Sequence, residues 1–225
     1  MPRNKYPEET VQKILKASMD LFLKKGYEQT TILDIVNGLG GMTRGAFYHH
    51  FKSKEEVFDA LLDKLFQEDN PFKKVQEEKD LNGLQKIQMV MQYSAGDRAD
   101  EKRIAVNKMA LPLLSSPHFL AQHFKDNLEM AKMMQPLVEE GMADGSIQPG
   151  NAKLMSELIA VLFQVWMVPT FFPMDETEFE EKAMLIKQIF DNLGMPIMDD
   201  TFLDKGEAFA EFLGFLELPT NSDTP

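Results

Sequence analysis

Arg44, Gly45, Ala46, Tyr48, His49, His50, Lys52 and Lys54 fall within eleven residues of one another and form the densest set of chemically capable side chains in the sequence. An arginine offers a rigid fork of donors that pairs bidentately with guanine in the major groove. A tyrosine hydroxyl, a histidine ring nitrogen and a lysine ammonium can each donate to a phosphate oxygen. Gly45 and Ala46 are small enough to let a backbone approach a groove closely. Phe47 and Phe51, four apart, can face inward and hold the segment on a core. The chemistry implied is recognition of double-stranded nucleic acid.

Such a set works only if the backbone presents it, and the flanking residues supply the means. The stretch 30–57 (TTILDIVNGLGGMTRGAFYHHFKSKEEV) reads as a short helix, a glycine-rich turn, a second short helix and the capped start of a third. Thr30 or Thr31 caps the first, with Asp34 in its opening turn and Ile32, Ile35, Val36 and Leu39 inward. Gly38, Gly40 and Gly41 end it and permit positive φ. Thr43 caps the second helix, which the spacing ends at Lys52-Ser53. Ser53-Lys54-Glu55-Glu56 is a capping-box pattern opening the next helix, with Val57, Leu61, Leu62 and Leu65 inward. Ahead of these, Glu8 to Lys25 places Val11, Ile14, Leu15, Ser18, Leu21 and Phe22 on one stripe, and Gly26 stops it. Two helices joined by a short glycine-containing turn form a helix-turn-helix, whose second helix offers its N-terminal residues to base edges.

Charge supports that division. The chain carries a net −12, yet residues 1–54 hold nine Lys/Arg against five Asp/Glu, while the remainder holds 15 against 31. A basic head collects phosphates and an acidic body suppresses indiscriminate adhesion to DNA. Cysteine is absent, which excludes disulfides, thiolate metal sites and cysteine nucleophiles. His118 and His123 are five apart and do not share a helix face; His49 and His50 are adjacent and diverge. No catalytic constellation, metal site or cofactor is expected. The longest apolar run, from Leu158 to Val168, is eleven residues interrupted by Gln164 and too short to span a bilayer. A cytoplasmic protein without membrane contact is the expectation.

Past Pro71 the periodicity stays helical, with helices expected near 81–95, 100–114, 118–143, 152–172, 177–193 and 201–216. Pro112, Pro136 and Pro169 should kink or cut them. The expected organisation is all-α: a head over 1–53, a helical body over 54–218 with residues 53–70 as connector, and a disordered polar tail over 219–225. Methionine is abundant in the body, and flexible thioethers suit a site that accepts varied apolar molecules. Met91, Met109, Met130, Met134 and Met167, with Tyr93, Phe163, Gln164 and Trp166, are candidate lining for such a site; plain core packing is the competing reading for each. The segments 152–172, apolar nearly all round, and 177–193 are the candidate surfaces for pairing with a second copy, since two half-sites give tight operator binding.

Gly45-x-Phe47-Tyr48-x-His50-Phe51-x-Ser53-Lys54-Glu55, preceded by Thr30-Thr31 and Asp34-Ile35, resembles the DNA-binding signature of the TetR family of bacterial repressors. The likeness covers roughly residues 8–62; beyond it only the architecture is similar. It implies an all-α protein with an N-terminal three-helix helix-turn-helix domain and a larger helical bundle that binds a small molecule and dimerises. It also implies phosphate contacts from Thr31, Tyr48, His50 and Lys54, and base-edge positions for Thr43, Arg44 and Ala46. One departure bears on the register of Thr43 and Arg44: the turn Leu39-Gly40-Gly41-Met42-Thr43 is one residue longer than the family's usual pattern. The resulting expectation is a homodimeric repressor, released from a DNA operator by an unidentified, largely apolar small-molecule effector. The alternative is an all-helical binding or enzymatic protein whose head is only structural.

Overall fold

The computed structural model describes residues 7–94 and 101–198. The helix expected near 201–216 and the tail over 219–225 lie outside the described residues. Among the described residues every regular element is helical, and the chain divides into two compact units, Met1–Asn70 and Pro71–Pro225.

The first unit contains α1 (Pro7–Lys25), α2 (Ile32–Gly38), α3 (Arg44–Tyr48) and α4 (Lys54–Glu68). α1 opens with Glu8 and Glu9 and closes with Lys24 and Lys25, each charge set complementing the helix dipole. Gly26 follows at φ 83° and turns the chain out of the helix. Ile14, Leu15 and Phe22 of α1 are buried together with Ile35 and Val36 of α2, Phe47 of α3, and Val57, Phe58 and Leu61 of α4. Phe22, Tyr27 and Phe58 form an aromatic triangle with ring centroids 5.0–5.5 Å apart, a geometry that adds to simple area burial. α4 packs on α1 and so falls within the first unit, whereas the sequence boundary at residue 53 assigns it to the body.

The second unit holds α5 (Pro71–Glu77), α6 (Gly83–Ser94), α7 (Glu101–Leu113), α8 (Pro117–Asp144), α9 (Ala152–Val161) and α10 (Glu176–Asn192). Short α5, not expected from the spacing, starts on Pro71 and buries Phe72 and Val75; proline suits the first helical turn, where its missing N–H goes unused. α8 is the central element, packing against both α6 and α9. It runs through Pro136 without being cut and ends at Gly145, φ 81°. α6 and α8 approach so closely at Gly83 and Gly141 that any side chain on Gly83 would strike backbone. The start of α6 is fastened there: Gly83 N–H donates to Asp144 Oδ2 at 2.7 Å and Leu84 N–H to Ser146 Oγ at 3.2 Å. Lys86 of α6 pairs with Glu140 of α8 a turn further on.

The helix expected over 152–172 is shorter and changes character. α9 stops at Val161 and gives way to a π-helical turn, Leu162–Trp166, closed by Met167 N–H donating to the Leu162 carbonyl at 3.0 Å. Pro169, which has no N–H to continue the ladder, lies just beyond. α9 also has two distinct faces: Met155, Ser156, Ile159 and Ala160 are buried while Leu154 and Val161 are exposed.

Candidate nucleic-acid interface

The interface is built from local caps. Thr31 is the N-cap of α2, and Thr30 is not: Thr30 is buried, its hydroxyl donating to the Gly26 carbonyl at 2.8 Å. The Thr31 hydroxyl accepts from Asp34 N–H at 3.1 Å, and the Thr31 N–H and hydroxyl both donate to Asp34 Oδ2, at 2.8 and 2.6 Å. Lys25 completes the ring with an ion pair to the same carboxylate oxygen at 2.7 Å. The hydrogen bond from Lys25, then those from Thr31, hold the Asp34 carboxyl well below the usual carboxylate range. This fixes the start of α2 against the end of α1.

After Leu39 the chain turns through Gly40 and Gly41, at φ 50° and 99°, conformations that side chains rarely adopt. Thr43 then caps α3, its Oγ1 accepting from Ala46 N–H at 3.1 Å. The turn is thus made by two left-handed glycines, and Thr43 takes the capping position. α3 is a single five-residue turn ending at Tyr48 rather than at Lys52-Ser53. His50 and Phe51 N–H both bond back to the Phe47 carbonyl, at 2.9 and 3.1 Å, which closes the helix early because Phe47 and Phe51 must both reach the core.

Burial sorts the predicted residues. Phe47 is fully enclosed and Phe51 nearly so, their rings 6.2 Å apart. Thr31, Thr43, Arg44, Gly45, Tyr48 and His49 are exposed; Ala46 and His50 are half-buried. Tyr48 stands edge-on to Phe47 with centroids 5.6 Å apart, and the Arg44 guanidinium lies 6.0 Å above its ring. Tyr48 is thereby held from below by a core aromatic and from above by a cation, with 43% of its surface open. The α3 face offers a guanidinium, a phenol and an imidazole around a glycine.

Lys54 has partners within the head. Its Nζ donates to the Tyr27 carbonyl at 2.8 Å and to the Glu28 carbonyl at 3.4 Å, and sits 4.0 Å from the centroid of the Tyr27 ring. That ammonium ties the start of α4 to the loop between α1 and α2. Ser53 caps α4 through Glu56 N–H at 3.2 Å, but the Glu56 carboxylate reaches the Lys52 N–H instead of completing a capping box on Ser53. Lys25 and Tyr27 were not signalled as site residues; Lys25 lies in a run readable only as a helix end, and Tyr27 is reached by Lys54 across 27 residues.

The nine candidate effector-site residues are spread over the second unit: Met91 and Tyr93 on α6, Met109 on α7, Met130 and Met134 on α8, and Phe163, Gln164, Trp166 and Met167 on and after the π turn. Met91, Tyr93, Met134, Phe163 and Met167 are buried, the other four half-buried. Several are claimed by neighbours. The Lys74 ammonium lies 4.6 Å from the Tyr93 ring centroid, Phe163 stacks on Phe190 at 6.5 Å, and Lys182 lies 5.4 Å from the Trp166 ring centroid. The Gln164 carbonyl, released from regular helical bonding by the π turn, meets His123 Nε2 at 2.6 Å. No group of acidic or histidine side chains among the described residues could hold a metal ion, and none of the described helices is long and apolar enough to cross a membrane.

A capped three-helix head whose short third helix turns Arg44, Tyr48 and His49 outward defines a helix-turn-helix protein. Comparison agrees with this: residues 14–61 match the model described as bacterial regulatory proteins, tetR family, so the head is similar to the helix-turn-helix domain of that family. The HTH-type transcriptional regulator TtgR of Pseudomonas putida is 40% identical over 73 residues, which cover 32% of this chain and 34% of that protein. The matched stretch therefore spans about a third of that relative's length. The HTH-type transcriptional repressor KstR2 of Mycolicibacterium smegmatis is 28% identical over 147 residues, 64% of this chain and 70% of that protein. In three dimensions, a transcriptional regulator from Cytophaga hutchinsonii aligns with a TM-score of 0.56 at 13% identity, covering 92% of this chain and 98% of the other. That likeness extends the shared fold into the second unit.

Proposed function

We propose that the chain is a ligand-responsive, DNA-binding transcriptional regulator, a cytoplasmic homodimer that represses until a small, largely apolar effector releases it. The observation that carries this reading is the outward face of α3. Arg44 and Tyr48 are exposed and braced against each other while Phe47 beneath them is wholly buried, so binding side chains stand on a rigid support. Arg44 reads a base edge, Gly45 and Ala46 admit the backbone to the groove, and Tyr48, His49 and His50 donate to phosphates, as does Thr31 from the start of α2. Lys54 contributes from its seat on the Tyr27 carbonyl, with a third ammonium N–H left to donate. The names of the relatives, a regulator and a repressor, support the same reading.

Two half-sites need two heads. Leu154 and Val161 on α9, and Met184 and Leu185 on α10, are large apolar side chains left exposed at 46–58%, and they are the surface we assign to the second copy. Effector bound in the second unit shifts the population toward a spacing of heads that no longer matches adjacent major grooves. Fragments of the host genome selected by the purified protein, beginning with its own upstream region, supply the operator. Arg44→Ala should then erase sequence preference, and Tyr48→Phe should weaken binding evenly across sequences. A wild-type protein that binds no fragment at low salt leaves the head a purely structural element.

A further inference from the structure

The central helix α8 carries two polar side chains on its inward face, one turn apart, and the structure treats them differently. His123, Asn127, Met130, Ala131 and Met134 share that face by three- and four-residue spacing. His123 is satisfied by the Gln164 carbonyl of the π turn. Asn127 is only 8% exposed, and its Nδ2 is enclosed without a hydrogen-bond partner among the described residues. An enclosed amide donor without an acceptor is costly, and folded proteins supply a partner for nearly all such groups. Met130 and Met134, three and seven residues further on, share its side of the helix by spacing, and thioethers repack easily about a guest. One helical turn away, His123 meets a π-helical turn, an element found frequently at functional sites.

We propose that Asn127 is the polar anchor of the effector site, donating through Nδ2 to an acceptor oxygen on a neutral, otherwise apolar molecule. This rests on the reading of the second unit as the effector-binding part. A hydrocarbon would leave the amide orphaned. An anion would be poorly served, since one neutral donor does not offset the loss of its hydration. A carbonyl or ether oxygen carried on a hydrophobic body meets both demands. Asn127 escaped the sequence-level search because an asparagine inside a long helix gives no signal of burial; only the packing of α8 encloses it.

The test uses the full chain and two matched probe series: alkyl phenyl ketones from butyrophenone to octanophenone, and the corresponding alkylbenzenes. Equilibrium dialysis gives affinity, and the single tryptophan, Trp166, on the π turn, reports local occupancy by fluorescence. Wild type should bind a ketone about tenfold more tightly than its hydrocarbon partner, the scale of one hydrogen bond made away from water. Asn127→Leu should abolish the preference, losing roughly tenfold for ketones and nothing for alkylbenzenes, and should melt at or above wild type because an unpartnered donor has gone. The proposal is overturned if wild type shows no ketone binding, or no preference, up to the solubility limit. It is equally overturned if Asn127→Leu is markedly less stable, which would mean the amide is already partnered in the folded protein. Operator-shift assays separate the two levels: operator binding with no ketone preference overturns this site alone, while an Asn127-dependent ketone preference in a protein that binds no operator upholds the site and overturns the regulator.

Discussion

Replacing Gly45 with alanine should make the head more stable and its DNA binding weaker, a combination that a purely structural head would not show. A Cβ built at Gly45 meets nothing closer than Thr43 Oγ1 at 3.9 Å, an ordinary contact, so the fold has room for the methyl group. Glycine within a helix costs about 0.5–1 kcal/mol relative to alanine. Because α3 has only five residues and Gly45 lies in its first turn, the gain should fall near the lower end, about 0.5 kcal/mol. For a unit of this size that corresponds to a rise of about 2–4 °C in the melting temperature. The same methyl group stands on the exposed face between Arg44 and Tyr48, where it would hold the helix off the groove floor. Loss of one bidentate base contact, about 1–3 kcal/mol, predicts a drop of about fivefold or more in operator affinity, with Gly45→Val lower still. Calorimetry and a DNA shift assay on the same preparations decide the matter. A melting temperature that falls by several degrees would refute the account of α3 packing. A rise without any loss of affinity would refute the placement of this face against DNA.

Three further outcomes follow from other contacts. Gly83→Ala should cost about 3 kcal/mol or more in urea denaturation, because its Cβ would overlap Gly141 N and Cα and the Leu137 carbonyl, none of which can rotate away; Gly141→Ala, whose methyl meets the flexible Ile147 side chain, should cost clearly less. Lys54→Met keeps the aliphatic stem but removes the donors to the Tyr27 and Glu28 carbonyls and the cation above the Tyr27 ring. It should destabilise the head by about 2 kcal/mol, and an unchanged denaturation midpoint would show that the tie is not made in solution. Asp34, whose folded carboxyl is held below its unfolded value, contributes stability above the ordinary carboxylate range that is lost as pH falls through the folded value. Melting of the wild type should therefore decline on acidification below about pH 4, and Asp34→Asn should flatten that decline.

What the sequence by itself determined is what depends on neighbours a few residues away. The helices of the head, a threonine cap at 30 or 31, the caps at Thr43 and Ser53, and the inward Phe47 and outward Tyr48 follow from three- and four-residue spacings and from side-chain oxygens reaching the nearest free N–H groups. So do the stops at Gly26 and Gly145, where positive φ favours glycine. The tertiary structure decided everything that joins distant segments. Which of two adjacent threonines caps α2 depended on the Gly26 carbonyl claiming Thr30. The role of Lys54 depended on Tyr27, 27 residues earlier. The unbroken passage of α8 through Pro136, the contact of Gly83 with Gly141, the turn ahead of Pro169 and the enclosure of Asn127 all belong to the second unit. Spacing shows which residues share a face of one helix. It does not show which other helix covers that face, and burial, partnership and the cost of an unpaired amide are set by that covering.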